Sequence, residues 1–334
     1  MKRTAPALFL LCFFLAGCHG WQSALDSHGP AADSLERMFW IFVAVLATVW
    51  LLTMVALLLS LRRRRPADAD PLATDPGTER RMTITVSVAV GLTLVTVVSL
   101  TGLSYAAQKV LFAHKEGTLT LLVTGRQWWW QVTYEDSQPS RVFTTANEIH
   151  IPVGEPVLVK LESSDVIHSF WIPNLTGKMD AITGRQNQIQ IQADRAGFYR
   201  GQCAEFCGLQ HAHMGLLVIA EPKEEFERWR NRQIASAPPP DDPERQLGMG
   251  IFLSKPCTMC HQIRGTDAGG KIAPDLTHVG SRRYIAAGTL EMTRGNIAAW
   301  IVDPHGIKPG VNMPTIQLEP DEVQPLASYL EGLK

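Results

Sequence analysis

Two long stretches of apolar residues near the N-terminus constrain the fold of this chain more than any other feature. Residues 38–61 and 82–107 contain no charged side chain, and each stretch is long enough to cross a lipid bilayer as a helix. A helix in the core of a soluble protein rarely continues so far without a charge. The sequence therefore predicts a transmembrane hairpin of two helices within residues 35–110.

Basic residues between the two apolar stretches indicate how the hairpin is oriented. Arginines occupy positions 62–65, and Arg80 and Arg81 precede the second stretch. Short cytoplasmic loops carry an excess of Lys and Arg, so this loop is expected on the cytoplasmic side. Both ends of the hairpin then face outward, and the chain that follows the second helix is predicted to lie on the periplasmic or outer face.

The first residues have the pattern of an export signal. Lys2 and Arg3 form a basic start, and residues 7–15 are an apolar core too short to span a bilayer. Residues 15–18 read Leu-Ala-Gly-Cys, which resembles the end of a bacterial lipoprotein signal with acylation at Cys18. An ordinary secretory signal with an incidental cysteine is the alternative. Residues 1–18 are thus a predicted signal, and the chain is predicted to be a multi-pass protein of the bacterial cell (inner) membrane.

Charge and cysteine content narrow the functional classes. Lys and Arg number 31 and Asp and Glu number 32, so the nearly neutral chain gives no indication of a nucleic-acid partner. The six cysteines fall into local pairs rather than one disulfide framework: positions 12 and 18, 203 and 207, and 257 and 260. Each pair is therefore expected to serve a separate purpose.

Residues 117–221 have the pattern of a β domain. Short runs rich in β-branched and aromatic residues alternate with turn residues, at 119–123, 128–134, 157–161, 188–191 and 216–220. No long amphipathic pattern of a helix interrupts them. About a hundred residues with this spacing predict an antiparallel sandwich.

One segment of this domain, CAEFCGLQHAHM at 203–214, concentrates groups that bind metals. A disulfide between Cys203 and Cys207 is one interpretation in an oxidising compartment, and a zinc site is another. Copper electron-transfer sites use a histidine followed, late in a small β sandwich, by Cys, His and Met. His168 supplies the earlier histidine, and two cysteines rather than one favour a pair of coppers bridged by both thiolates.

The motif DVIHSFWIP at 165–173, taken with CAEFCGLQHAHM, resembles subunit II of haem–copper cytochrome c oxidases, which carries a binuclear CuA centre. The two-helix hairpin and Gln-Trp-Trp-Trp at 127–130 occur in the same order in that family, so the resemblance covers residues 35–221. It implies a cupredoxin-like Greek-key sandwich that holds two coppers. The residues it assigns to the metals are His168, Cys203, Glu205 (through its backbone carbonyl), Cys207, His211 and Met214.

The same family supplies expectations for three side chains outside the thiol pair. The Glu205 side chain would reach a magnesium ion at the border with subunit I. Trp128 matches an aromatic residue that lies over the copper and passes electrons inward, with simple packing as the alternative. Glu79 matches a glutamate at a proton-uptake entrance, but the Trp and Pro that usually follow it in the family are missing here. A plain charged helix end facing the cytoplasm is the alternative for Glu79.

A second redox site is predicted near the C-terminus. Residues 222–243 are charged and then proline-rich and are predicted to be a linker, and residues 257–261 read Cys-Thr-Met-Cys-His. This is the attachment motif for haem c, in which Cys257 and Cys260 form thioethers and His261 is an axial ligand. A thioredoxin-like redox pair is the competing interpretation, but it requires a βαβ context that is missing here.

Residues 244–334 are accordingly expected to form a small all-α domain. The stretches at 273–277 and 300–304 resemble class I cytochromes c, and Met313 in an Asn-Met-Pro sequence is the expected sixth ligand. Other methionines in this part of the chain offer competing sulfurs without that setting: Met249, Met259 and Met292.

The remaining histidines of both domains lack support as ligands. The spacing of the family selects His211 rather than His213, which is expected on the surface or beside the site. His150 has no companion ligand in the sequence and is expected to be an ordinary polar strand residue. With Met313 present, His278 and His305 are expected to be surface residues.

The order of these parts resembles subunit II of caa-type cytochrome c oxidases, in which a cytochrome c domain is fused to the chain. The resemblance implies an electron-entry subunit. Electrons would pass from cytochrome c, or from a quinol–cytochrome c reductase complex, through haem c and CuA to subunit I, which reduces oxygen to water and pumps protons; subunit III is a further expected partner. No catalytic residue is expected on this chain itself. Two alternatives remain: the electron-transfer subunit of a CuA-containing nitric oxide reductase, and a membrane-anchored copper carrier or assembly protein.

Overall fold

The computed structural model describes residues 19–62, 75–111 and 119–334. The predicted signal of residues 1–18, with Cys18, lies outside these ranges, as do the arginines at 63–65. The chain divides into two compact units, residues 34–112 and the remainder. The first unit is helical, and the second holds the β domain together with the C-terminal domain.

Two long helices account for the apolar stretches. Helix α1 runs over Pro30–Arg62 and helix α2 over Pro76–Leu111. Both have the length and composition needed to cross a membrane, in agreement with the prediction. Helix α2 begins ahead of its apolar stretch because Asp75 accepts a hydrogen bond from the Thr78 N–H at 3.0 Å and a proline occupies the first helical position.

The β domain is a sandwich of two five-stranded sheets, with strand order β3-β2-β1-β5-β8 in one and β4-β10-β9-β6-β7 in the other. The β sandwich predicted from the sequence is therefore confirmed. Its strands are β1 (Leu119–Arg126), β2 (Trp129–Tyr134), β3 (Phe143–Ala146), β4 (Glu148–Pro152), β5 (Val157–Ser163), β6 (His168–Trp171), β7 (Met179–Ala181), β8 (Asn187–Ile191), β9 (Gly197–Cys203) and β10 (Gly215–Glu221).

Two strand pairings differ from the antiparallel arrangement expected from the sequence. β1 pairs in parallel with β5, with Leu121 opposite Val159, and β10 pairs in parallel with β4, with Val218 opposite Ile149. The other pairings in the two sheets are antiparallel. Each parallel pair joins strands that are distant in the chain, so the short-range turn residues carry no information about it.

The sequence pattern also fails to predict β3, β4, β6, β7 and β9. β7 has three residues, β3 and β6 have four each, and β4 is buried along its whole length. Such strands lack the alternation of apolar and polar residues that marks a half-buried strand. β9 does alternate, but it contains two glycines, which are depleted in strands.

Apolar side chains of the two sheets meet between them. Positions along β1 and β5 alternate between buried and half-buried, the period of a strand with one face on a core. Trp130 and Phe170, from opposite sheets, are fully buried, and their rings meet edge to face with centroids 5.7 Å apart. This is a favoured geometry for aromatic pairs, and it fixes the spacing of the sheets beside β6.

Helix α3 (Lys223–Ile234) occupies the first half of the segment expected to be a linker. Phe226 and Trp229 lie three positions apart, hence on one face of the helix, and both are buried in the core of the sandwich. In the sequence this face is visible only as two aromatic residues in a charged stretch. The extended connection between the β domain and the C-terminal domain is therefore limited to residues 235–242.

His150 is not the ordinary polar strand residue that the sequence leads one to expect. Its ring is buried, stacks on Trp229 with centroids 3.9 Å apart, and lies between two carboxylates. Glu221 Oε1 is 2.8 Å from Nδ1 and Glu148 Oε1 is 3.2 Å from Nε2. Burial alone would lower the pKa of His150, but the hydrogen bonds and charges of the two glutamates outweigh it and raise the pKa above its usual 6.5.

Replacing His150 by Gln should remove a stabilising contribution that depends on pH. A histidine with a raised pKa in the folded chain stabilises the fold fully below its unfolded pKa, near 6.5, and loses that contribution as the pH rises through the folded value. The native chain should therefore exceed His150→Gln in thermal stability most at low pH, and the difference should shrink at higher pH. Thermal unfolding of the solubilised full chain at several pH values tests this, and a difference that grows with pH contradicts it.

The C-terminal domain is helical, as predicted, with a small two-stranded ribbon in addition. Asp242 caps the first helix by accepting a hydrogen bond from the Arg245 N–H at 2.8 Å. The elements are α4 (Pro243–Ser254), α5 (Cys257–Cys260), β11 (Tyr284–Ile285), β12 (Leu290–Glu291), α6 (Arg294–Val302), α7 (Pro304–Ile307) and α8 (Pro320–Gly332). Helices α4, α6 and α8 share one apolar core, which includes Ile251, Phe252, Ile297, Ile301, Leu326 and Tyr329.

His278 departs from the prediction that it is a surface residue. It is buried, and its Nε2 lies 3.0 Å from the carbonyl oxygen of Ala235, to which it donates. His305 is exposed, as predicted. The sequence cannot reveal the His278 contact because Ala235 belongs to the connection that precedes the domain.

Helices α4 and α8 cross at Gly248 with no room for a side chain. A Cβ at position 248 would lie 2.0 Å from the carbonyl oxygen of Pro325, whereas a Cβ at Gly250 of the same helix would meet open space.

We expect Gly248→Ala to destabilise the C-terminal domain by about 1–3 kcal/mol or more, because the added methyl group overpacks the crossing. Gly250→Ala is the matched control and should be neutral or stabilising by up to about 1 kcal/mol, because alanine favours the helix. Thermal unfolding of the two variants measures the difference. Equal stability of both variants would show that the crossing tolerates a side chain.

Candidate functional site

Strand pairing brings the predicted copper ligands together from two parts of the chain. His168 begins β6 and Cys203 ends β9, and these neighbouring strands set Phe170 opposite Cys203. After Cys203 the chain folds back through residues 203–214, here called the ligand loop, before β10 begins. Four of the predicted ligands are buried and His211 is half-buried.

Two thiols form the centre of the cluster. Cys203 Sγ and Cys207 Sγ are 3.8 Å apart as free thiols, well beyond the disulfide bond length of about 2.05 Å. His168 Nδ1 is 3.8 Å from Cys203 Sγ, and His211 Nδ1 is 3.7 Å from Cys207 Sγ. Each thiol therefore has one imidazole nitrogen beside it.

Two weaker donors complete the cluster. Met214 Sδ is 3.8 Å from Cys207 Sγ, and the backbone carbonyl oxygen of Glu205 is 3.2 Å from Cys203 Sγ. Soft sulfur and imidazole donors with a weak thioether suit copper, whereas a structural zinc site closes with four strong donors. The donor set therefore fits copper better than zinc.

The environment of the thiols favours loss of a proton from one of them. The Cys207 thiol is the main group that stabilises a Cys203 thiolate, with His168 also contributing, and together they lower the pKa of Cys203 to about 3. The same contact raises the pKa of Cys207, because a second thiolate would lie beside the first. A bound metal cation allows both cysteines to be thiolates, because its positive charge lies between them and a coordinating thiol is deprotonated.

Two residues outside the ligand set hold His168 in place. Asp165 Oδ1 is 2.8 Å from His168 Nε2, which makes this nitrogen the donor and leaves Nδ1 toward Cys203. Asp165 Oδ2 also accepts a hydrogen bond from the Gln127 N–H at 2.7 Å. Gly125 lies against the ring, since a Cβ there would be 2.6 Å from His168 Cδ2. Burial alone would lower the pKa of His168, but its hydrogen bonds to Cys203 and Asp165 raise it overall.

The turn between β1 and β2 holds the ligand loop through the carbonyl oxygen of Cys207. Trp128 Nε1 donates to this oxygen at 2.9 Å, and Gln127 Nε2 donates to it at 2.7 Å. Trp128 is buried, and a Cβ at Gly208 would lie 3.1 Å from its ring. Trp128 therefore contacts a residue of the thiol pair directly as well as packing on the loop.

The sequence also singles out the Glu205 carboxylate, His213 and Glu79. The Glu205 carboxylate is about half exposed and lies 4.0 Å from Lys178 Nζ. His213 is exposed, as expected for a residue outside the ligand set. Glu79 is exposed in the first turn of α2, in the unit that holds the two long helices.

The predicted haem-attachment residues lie on and directly after the short helix α5. Cys257 and Cys260 are free, half-buried thiols. His261 Nδ1 donates a hydrogen bond to the carbonyl oxygen of Pro274 at 2.8 Å, which leaves Nε2 available for iron. Burial lowers the pKa of His261, so its ring is neutral, the form that coordinates a metal.

Met313 is the methionine that the sequence predicts as the sixth ligand. It is half-buried on the segment before α8 and lies outside the apolar core. Two competing methionines, Met249 and Met292, pack against that core, and Met259 is 69% exposed. Cys257, Cys260 and His261 are of the residue types that attach and ligate a c-type haem, and Met313 stays a predicted ligand.

Comparisons with known proteins identify the family. Residues 137–221 match the family described as cytochrome c oxidase subunit II, periplasmic domain, and residues 246–334 match the cytochrome c family. Cytochrome c oxidase subunit 2 of Alkalihalophilus pseudofirmus is 34% identical over 346 aligned positions, which cover 100% of this chain and 97% of that protein. The chain belongs to the cytochrome c oxidase subunit 2 family.

Further relatives of this family align over part of the chain. Cytochrome c oxidase subunit 2 of Bacillus sp. PS3 is 35% identical over 231 positions, 66% of this chain and 63% of that protein. A solved structure similar to this chain is the crystal structure of the periplasmic domain of subunit II of cytochrome oxidase of Bradyrhizobium japonicum. The two sequences are 32% identical, the match covers 34% of this chain and 92% of that chain, and the TM-score is 0.33. The predictions of a subunit II chain with a fused cytochrome c domain, and of membership in an oxidase complex, are confirmed.

Sequence reasoning missed the residues that position the ligands of this subunit 2 chain. Asp165 stands inside the motif that carries the family resemblance, but the sequence does not show that its carboxylate meets His168. Gly125 interrupts a strand-like run, and an isolated glycine in a strand often marks a close approach of another group. Gln127 directly precedes the three tryptophans, and nothing in the sequence shows that its side-chain amide meets the carbonyl oxygen of Cys207.

Replacing Gly125 by Ala should weaken metal binding without unfolding the sandwich. The added Cβ would overlap the His168 ring, and changes to residues that orient a ligand cost about 10–100-fold in metal affinity. Copper titration of the full chain against a competing chelator measures the effect. Gly197→Ala is the control, because a Cβ there lies 3.7 Å from its nearest neighbour atom; equal affinity in the two variants would mean that Gly125 does not position His168.

Proposed function

We propose that this chain is the electron-entry subunit of a terminal respiratory oxidase. Electrons from an external cytochrome c, or from a quinol–cytochrome c reductase complex, pass through a covalent haem c and a binuclear CuA centre to subunit I, which reduces oxygen to water and pumps protons. The observation that carries the proposal is the presence of two donor sets on one chain, the thiol cluster and the Cys-x-x-Cys-His motif with Met313. The names of the relatives, cytochrome c oxidase subunit 2, support it.

In this proposal Cys203 and Cys207 would hold the two copper ions of a binuclear CuA centre together with the histidines beside them. The support is geometric: the thiols lie side by side, and each has one imidazole nitrogen next to it, from His168 and from His211. Met214 and the carbonyl of Glu205 are the weak ligands. When bound, the copper pair accepts and releases one electron. The surrounding hydrogen bonds keep the ligands in position, which limits their movement when the charge of the metals changes.

The C-terminal domain holds the haem through Cys257, Cys260, His261 and Met313. The hydrogen bond from His261 Nδ1 to Pro274 fixes the orientation of the ring. Met313 as a ligand would raise the reduction potential of the haem relative to a histidine in its place. A raised potential suits a haem that accepts electrons from a donor outside the complex.

The remaining parts of the chain serve anchoring and assembly in this proposal. Helices α1 and α2 span the bacterial inner membrane, and both redox domains lie on its periplasmic face, with Cys18 as the lipidated residue. The match of residues 137–221 to a periplasmic domain supports this location. Subunits I and III are the membrane partners, and the half-exposed Glu205 carboxylate contributes to a magnesium site at the border with subunit I.

Two residues have roles that follow from the family resemblance. Trp128 is the electron-entry residue of the sandwich, which its hydrogen bond to the Cys207 carbonyl supports. Glu79 lies at a proton-uptake entrance, which its place in the first turn of α2 permits.

Metal and haem counts with electron paramagnetic resonance test the proposal. The full chain is produced with haem-maturation machinery and loaded with copper. Two coppers and one haem per chain are expected, with one unpaired electron shared equally by both copper nuclei. A single-copper spectrum, or zinc with a Cys203–Cys207 disulfide, contradicts the assignment.

Two matched variants serve as controls for this experiment. Cys207→Ser should abolish the shared copper signal and leave covalent haem intact, because the haem residues lie in the other domain. Cys260→Ser should remove one thioether bond and leave the copper signal unchanged. Loss of both cofactors in either variant would indicate misfolding rather than loss of a ligand.

A further inference from the structure

The C-terminal domain meets the ligand loop through residues 308–312, here called the contact segment. Gln210 Nε2, on the ligand loop, donates a hydrogen bond to the carbonyl oxygen of Pro309 at 2.7 Å. Gly310 lies so close to Leu209 that a Cβ at position 310 would be 2.7 Å from Leu209 Cδ1. The residue that follows the contact segment is Met313, the proposed haem ligand, so the contact segment connects that ligand directly to the ligand loop.

Lys308 shows that this contact excludes water. The residue is 1% exposed, and its Nζ donates to one carbonyl oxygen from each domain: that of His213 at 2.8 Å and that of Ala286 at 3.1 Å. Next to it the Gly215 N–H donates to the carbonyl oxygen of Ala287 at 3.0 Å. A buried ammonium group requires such partners, so the two domains are joined by directed hydrogen bonds.

Hydrogen bonds continue from the contact segment to the thiol pair. Asn312 Nδ2 donates to the backbone carbonyl oxygen of Gln127 at 2.9 Å. The side chain of Gln127 in turn donates from Nε2 to the carbonyl oxygen of Cys207 at 2.7 Å. A route of covalent and hydrogen bonds therefore leads from Met313, through its neighbour Asn312 and through Gln127, to Cys207.

We propose that Asn312 is a positioning residue for electron passage between the haem site and the copper site of this chain. One electron leaves the reduced haem and enters the oxidised copper pair, and no proton or bond changes place. Electronic coupling falls more slowly along bonds than across a gap, so the Asn312–Gln127 hydrogen bond shortens the non-bonded part of the route. The inference rests on the proposed function, since it requires both cofactors.

The exposure of Asn312 allows its role in the route to be separated from a role in holding the domains together. Asn312 is exposed, and a single neutral hydrogen bond contributes only about 0.5–1.5 kcal/mol to stability. The buried contacts of Lys308, Gln210 and Gly215 remain when Asn312 is changed. Loss of the Asn312 amide should therefore interrupt the route and leave the domains in contact.

The experiment compares Asn312→Asp and Asn312→Leu with the native full chain in the assembled oxidase. Asp keeps the size of the side chain and Leu its approximate volume, but neither donates a hydrogen bond to the Gln127 carbonyl at neutral pH. The haem is reduced by a light-triggered reductant, and the transfer to copper is followed by optical absorption. Midpoint potentials of both centres and the hydrogen exchange of the Gly215 amide are measured on the same samples.

We expect both variants to slow the transfer several-fold with an unchanged exchange rate at Gly215, and the uncharged Leu variant to keep the native potentials. Asn296→Asp is the matched control and should transfer at the native rate, because Asn296 is half-buried in the same domain and its Nδ2 donates within that domain, to the carbonyl oxygen of Glu291 at 2.9 Å.

Two results would overturn the role of Asn312. Native transfer rates in both variants would show that the hydrogen bond from Asn312 to the Gln127 carbonyl does not contribute to electron transfer. A slower transfer accompanied by faster exchange at Gly215 would show that Asn312 only holds the domains together. A native chain that lacks the shared copper signal or covalent haem would instead contradict the proposed function, so the two failures are distinguishable.

Discussion

The pairing of β6 with β9 is the interaction on which the thiol cluster depends. It places His168 beside Cys203 although the two residues are far apart in the chain. Because β10 pairs with the other edge of β9, the chain between them must turn back over the end of the sheet. That return brings Cys207, His211 and Met214 over Cys203. A backbone ladder therefore determines where the ligands meet, and the spacing of the ligands along the loop brings them to that place.

Features that depend on neighbouring residues could be predicted from this sequence. The two apolar helices, the ligand spacing after Cys203 and the Cys-x-x-Cys-His motif are all local patterns. Features that depend on contacts between distant segments could not be predicted from local patterns, and the meeting of His168 with Cys203 was expected only from the family resemblance. The parallel pairs, the burial of His278 against Ala235 and the packing of α3 on the sandwich belong to this class, because none leaves a periodic mark in the sequence. The positioning of His168 by Asp165 stands between these two classes. Asp165 lies in the same sequence motif as His168, but the motif does not show that the two side chains form a hydrogen bond.

The arrangement of the C-terminal domain changes the interpretation of the linker. A flexible spacer would convert donor binding into an intramolecular encounter at roughly millimolar effective concentration. In the structure, α3 is bound to the sandwich and the contact segment lies on the ligand loop, so residues 235–242 join two bodies that already touch. Because this interface contains directed hydrogen bonds and a buried lysine, it favours a C-terminal domain that stays docked on the β domain over one that repeatedly dissociates and rebinds.

The carbonyl oxygen of Cys207 accepts hydrogen bonds from both Gln127 and Trp128. Part of the support for the ligand loop is thus located on a different hairpin, some eighty positions earlier in the chain. A protein engineer who moved the twelve residues of the loop into another sandwich would transfer the donor atoms and leave behind the groups that hold them. A transplant that retains the native shape of the metal centre should therefore include the turn between β1 and β2 as well. The smallest segment set that could be transferred is therefore the ligand loop together with the turn between β1 and β2.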